Sequence, residues 1–176
     1  MNIASFVSSA QRVVAACVRL KSEASGFLGC LPGFSFDETM SGPITLADHP
    51  HPQHMEFRVH AEVPSLVSFL SDGRTRLTGI VSIPGFVDSA AVEGSLWILP
   101  KERVIRYEFT FPDRAGATFR FAGEKNVSPF DLVRTMTELP GFLFDAHGKE
   151  IGQAEVRFDL ADLPSFLASF RPAWPT

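Results

Sequence analysis

Three histidines and an aspartate fall within seven residues at Asp48-His49-Pro50-His51-Pro52-Gln53-His54, and imidazole is a common ligand of zinc, copper and nickel. The same stretch lies between two segments that read as strands. A solvated hairpin tip accommodates His and Pro without function, so a metal site on His49, His51 and His54 is the weaker reading. Glu38 is the second residue with chemistry in prospect. Phe34, Phe36, Glu38 and Met40 alternate with Ser35, Asp37 and Thr39, the period of a strand with one buried face. The Glu38 carboxylate is therefore expected among apolar side chains, where burial would raise its pKa and fit it for proton transfer. The plainer alternative is a carboxylate bonded to backbone at a strand end, or paired with Arg58, Arg76 or Lys125. No second catalytic partner stands at a defined spacing from it.

Other constellations are missing. The chain has no Gly-x-Ser-x-Gly elbow, no Gly-x-Gly-x-x-Gly loop, no phosphate-loop Gly-Lys-Ser/Thr and no His-Glu-x-x-His. Cys17 and Cys30 flank no candidate base and form no Cys-x-x-Cys pattern, which points to a reduced, cytoplasmic setting without a disulfide framework. No cofactor is expected.

The elements that must position these residues can be read from periodicity. A chain of 176 residues with 45% hydrophobic and 20% charged residues suits one globular domain. We place an N-terminal helix and linker at 1–33 and a single β-rich domain at 34–176. Within the first part, Phe6, Val7, Ala10, Val13, Val14, Cys17 and Leu20 recur at helical spacing, predicting an amphipathic helix over Ser5–Leu20. Arg12 and the lack of an unbroken apolar run over Met1–Lys21 suit a cleaved signal poorly. A formal charge of −4 without a Lys/Arg cluster argues against nucleic acid, and no apolar run is long enough for a membrane-spanning helix.

After the linker Gly26–Gly33, strands are predicted at Phe34–Met40, Ile44–Ala47 and Met55–Glu62, with a short helix starting at Pro64. Thr75–Ile83, Gly94–Leu99, Ile105–Phe111 and Thr118–Ala122 then read as an antiparallel meander. Asp131–Thr135 suits one helical turn. A copy of the first hairpin follows, with its tip at Asp145–Lys149. Glu56, Arg58 and Val59 match Glu155, Arg157 and Phe158 at a spacing of 99, and Glu62-Val63-Pro64-Ser65 matches Asp162-Leu163-Pro164-Ser165 at 100. The tail from Arg171 offers no further element. Closure removes sheet edges, so the expected fold is mainly β: an antiparallel closed or nearly closed barrel of about eight strands.

Phe36-Asp37-Glu38-Thr39-Met40-Ser41-Gly42, Val63-Pro64-Ser65-Leu66-Val67, Leu77-Thr78-Gly79-Ile80-Val81, Glu93-Gly94-Ser95-Leu96-Trp97, Arg106-Tyr107-Glu108-Phe109 and Ala122-Gly123-Glu124-Lys125 together resemble an accessory module of bacterial cholesterol-oxidase-like flavoproteins of the glucose-methanol-choline class. The resemblance spans Phe34 to Phe170 and implies a calycin-like barrel working beside enzymes of apolar substrates. It carries over no flavin motif and no catalytic residue. Seventeen phenylalanines against one tyrosine suit either a filled core or an apolar cavity. The expected function is accordingly a non-enzymatic accessory or binding domain for an apolar, lipid- or sterol-like molecule. Its lining is placed at Phe36, Glu38, Met40, Tyr107, Phe109, Phe119, Phe121 and Lys125, in a cavity of roughly 300 Å³ or more. The alternatives are a hydrolase or isomerase of a lipophilic substrate using Glu38, and a structural partner of a separately encoded oxidoreductase or hydrolase.

Overall fold

A computed structural model describes residues Pro32–Ala173. The expected N-terminal helix at Ser5–Leu20 lies outside the described residues. Eight antiparallel strands form a closed barrel: β1 (Pro32–Leu46), β2 (Gln53–Ser65), β3 (Arg74–Ile83), β4 (Val87–Leu99), β5 (Val104–Pro112), β6 (Thr118–Asn126), β7 (Glu138–Phe144) and β8 (Glu150–Arg157). Each strand pairs with its neighbour in sequence, and β1 closes the wall by pairing with both β2 and β8. Three short helices lie in the connections among the described residues: α1 (Leu66–Asp72), α2 (Leu132–Thr137) and α3 (Leu163–Ser169). They fall at the barrel end reached by the last residues of β2, β6 and β8. A final strand, β9 (Arg171–Ala173), pairs with Gly33–Ser35 of β1.

Alternation builds the wall. On β2, Met55, Phe57, Val59, Ala61 and Val63 are buried while Arg58 and His60 are exposed, so every second side chain enters the core. Leu77 and Val81 of β3, Tyr107, Phe109 and Phe111 of β5, and Leu139 and Leu143 of β7 do the same. Inside, ring centroids of Phe57 and Phe109 lie 5.2 Å apart, and those of Phe109 and Phe121 lie 5.0 Å apart. Glycine makes room for this. A Cβ at Gly141 would sit 2.4 Å from Cζ of Phe121, so β7 is bare where the β6 ring presses on it.

Four local expectations are corrected. Phe34–Met40 and Ile44–Ala47 are not separate strands; β1 runs unbroken through Gly42-Pro43. Pro43 has no N–H to give β8, yet Ser41 opposite Arg157 and Ile44 opposite Ala154 keep one register on either side of it. A Cβ at Gly42 would lie 2.1 Å from the Glu155 carbonyl oxygen, so glycine lets β8 approach. Second, β4 starts at Val87 rather than Gly94, because a tight turn closed by Phe86 N–H to the Ile83 carbonyl sends the chain straight back. Third, the two similar strings diverge in detail: Pro64 lies within β2, whereas Pro164 occupies the first turn of α3. Fourth, the tail adds β9, since the start of β1 extends past β8 and leaves an edge to be paired.

Candidate functional site

Glu38, Tyr107 and Lys125 meet inside the barrel. The strand period that sends Phe36 and Met40 inward sends Glu38 with them. On β5, Tyr107 shares its face with Phe109 and Phe111. On β6, Lys125 follows Phe121 and Gly123 along the inner row. Tyr107 stands opposite Gly123, and Lys125 opposite Ile105, so the two polar side chains are diagonal neighbours with a bare glycine between the rows. The Tyr107 hydroxyl donates to Glu38 Oε2 at 2.7 Å. The Lys125 ammonium donates to Glu38 Oε1 at 3.4 Å and lies 5.1 Å from the centre of the Tyr107 ring.

All three are nearly sealed from water: Glu38 is 8% exposed, Lys125 3% and Tyr107 2%. Among the described residues no buried side-chain nitrogen or oxygen is left without a hydrogen-bond partner. Such a cluster is costly to assemble, because the desolvation of two charges offsets most of their attraction. An apolar trio of similar volume would fill the same space more cheaply, so the presence of this one calls for a reason other than stability.

Burial, then the Glu38 charge, then the hydrogen bond to Glu38 push the Tyr107 phenol well above its ordinary value. The hydroxyl is therefore a donor throughout the neutral range. The linkage has a definite sign: a proton held more tightly in the folded state contributes stability that is present below the unfolded phenol's value of about 10 and is lost as pH rises toward the folded one. Urea midpoints of the wild-type chain should therefore fall between pH 9 and 11 more steeply than those of Tyr107→Phe, which lacks that titration. Parallel curves would show that the Tyr107 environment does not contribute.

The structure brings Glu38, Tyr107 and Lys125 together but disposes the aromatic candidates differently from expectation. Phe36 packs on Phe166 and Phe170, with centroids 5.6 and 5.0 Å away. Phe109 and Phe121 stack, Phe111 stacks on Phe119 with centroids 6.1 Å apart, and Met40 is fully enclosed. These rings fill the interior instead of lining a void. Two clefts lie on the outside, about 410 Å³ beside Arg74, Arg76 and Ser95, and about 350 Å³ beside Arg103 and Phe130. Neither is lined by Glu38 or by any of the expected phenylalanines. The expected phenylalanines thus pack on one another and line neither cleft.

The histidines do not converge. His49 and His51 lie in the β1–β2 turn and His54 on β2, with His51 and His54 exposed. No group of three or more His, Cys, Asp or Glu among the described residues is placed to hold a metal ion.

One feature near Glu38 was missed in the sequence: a cluster of packed aromatic rings around the start of β1. Phe34 meets Phe69 of α1 at 5.3 Å, and Phe158 meets Phe166 at 5.4 Å. Phe166 meets Phe170 at 5.2 Å. The four-residue spacing of Phe166 and Phe170 was the available signal, since it puts both rings on one side of a helix turn. No family model, curated protein or solved structure matches the chain. No helix of the described residues is long and apolar enough to cross a membrane.

Proposed function

We propose that the chain is a non-enzymatic binding barrel for an apolar, lipid- or sterol-like molecule carrying one hydroxyl, acting in the cytoplasm as an accessory to a separately encoded oxidoreductase or hydrolase. The observation that carries this reading is the Glu38–Tyr107–Lys125 cluster, buried in a largely apolar interior. A hydroxyl suits it on chemical grounds. It can donate to the Glu38 carboxylate and accept from the Lys125 ammonium, whereas a ligand carboxylate would face the Glu38 charge. The aromatic rings would supply apolar contact for the body of the molecule, and the polar trio its orientation. The partner class follows from the resemblance to an accessory module of cholesterol-oxidase-like flavoproteins, and no flavin motif accompanies it here.

A hydrolase or isomerase using Glu38 has one observation in its favour, namely that Tyr107 and Lys125 supply the second polar group such chemistry needs. Native mass spectrometry of the protein purified from its host tests the binding reading. The expected spectrum shows a retained apolar compound at one per chain, released on denaturation. A bare polypeptide that also fails to take up dehydroergosterol, a fluorescent sterol alcohol, would remove the proposal.

A further inference from the structure

Access to the trio is a separate question, and the wall of the barrel has a weak place beside it. On its free edge β1 pairs with β8 only from Ser41 to Leu46, and with β9 only from Gly33 to Ser35. Among the described residues Phe36 to Met40 have no strand opposite them on that edge, although all five pair with β2 on the other. Glu38 is the middle residue of this gap. Among the described residues, α3 lies against the gap. The Asp37 N–H donates to Ser169 Oγ at 2.9 Å, and Phe166 and Phe170 lie on Phe36.

The cover is poorly secured. Helix α3 has seven residues, of which Leu163 and Phe166 pack half-buried on the core and none is fully buried, and its N-cap Asp162 makes no side-chain capping bond. So short a helix has little stability of its own, and elements with few buried contacts open below the cost of global unfolding. The β9 strand that holds its far end has three residues, one of them Pro172, which can give no ladder hydrogen bond.

We infer that α3 and β9 form a displaceable plug in a lateral portal between β8 and the start of β1, through which a ring-bearing apolar ligand reaches Glu38, Tyr107 and Lys125. This rests on the binding reading above. It also accounts for a filled interior in a binding barrel: the Phe166 and Phe170 rings pack on Phe36 and leave with the plug, so that space is made by displacement. The ligand's ring system would then take their place against Phe36 and Phe158.

Amide exchange on the full-length protein, followed by NMR with and without low urea, tests the plug without any ligand. In the wild type, the Ser35 and Arg171 amides should exchange together by an opening that urea barely accelerates, while Phe109 and Phe121 exchange only on global unfolding. In Ser169→Ala, Ser35 and Arg171 should exchange about fivefold faster, the effect of losing one ordinary hydrogen bond, and Phe109 and Phe121, which open by global unfolding of the same destabilised native state, should accelerate by no more than that factor and keep their steep urea dependence. The inference is overturned if Ser35 and Arg171 share the urea dependence of Phe109, or if only Asp37 responds to the substitution. Should Ser169→Ala fail to fold, the wild-type urea dependence alone decides. Dehydroergosterol uptake separates the two proposals. Faster uptake by Ser169→Ala supports both, and plug opening with no uptake by either protein keeps the portal but removes the ligand reading.

Discussion

Lys125→Met destabilises the fold by about 3–5 kcal/mol, the usual effect of stranding one partner of a buried ion pair. Methionine matches the length of the lysine stem and leaves no void, so the loss is electrostatic. Glu38 would keep its hydrogen bond from Tyr107 but lose the only cation within 4 Å among the described residues. Adding Glu38→Gln to Lys125→Met should return most of the stability, because an amide can still accept from the Tyr107 hydroxyl and carries no charge to desolvate. Urea denaturation of the four proteins in the cycle checks this. If Lys125→Met alone matches the wild type, the pair is not energetically coupled and the cluster loses its standing as a site.

The second large effect is steric. Phe57 is fully buried and touches three other rings, at 6.4 Å from Tyr107, 5.2 Å from Phe109 and 5.9 Å from Phe121. Phe57→Ala should cost about 3–5 kcal/mol, combining lost transfer energy with the cavity left among residues that cannot collapse inward. A barrel wall tied on both sides by hydrogen bonds relaxes little, which favours the upper part of that range. Phe130 is the control. It is 98% exposed in the loop before α2, so Phe130→Ala should change stability by no more than about 0.5 kcal/mol. Thermal or urea unfolding of both variants checks the contrast, and equal losses would refute the packed-interior description.

Much of this architecture was legible locally. Met55, Phe57, Val59, Ala61 and Val63 alternate without a break, and so do Tyr107, Phe109 and Phe111, because each strand has one face in the core and one in water. The inward direction of Glu38 followed from the same rule. Its partner did not, since Lys125 lies 87 residues further on and only closure of the sheet brings β6 across from β1. The sequence named Arg58, Arg76 and Lys125 as equal possibilities, and the barrel decides among them: Arg58 and Arg76 sit on outward positions, Lys125 on an inward one.

Other features were illegible for physical reasons. Strand β9 has no propensity to betray it, because a three-residue strand containing proline exists only where a neighbour presents a vacant edge. The phenylalanine count could not separate a filled core from a lined cavity, since both need large apolar rings facing inward. Ring-to-ring distances near 5 Å for Phe109–Phe121 and Phe36–Phe170 settle that in favour of packing. The gap in the β1 edge was equally hidden, because it depends on where β8 stops and β9 begins.

Glu38, Tyr107 and Lys125 are proposed to recognise the polar end of an apolar ligand. Dehydroergosterol titration of the wild type against the refolded-stability control Glu38→Gln/Lys125→Met tests it most directly. Saturable one-to-one binding by the wild type, weakened at least about tenfold in the double variant by loss of charge-assisted hydrogen bonds, is the predicted result. Equal binding by the two proteins, or none by either, would contradict it and leave the trio as a purely internal feature of the barrel.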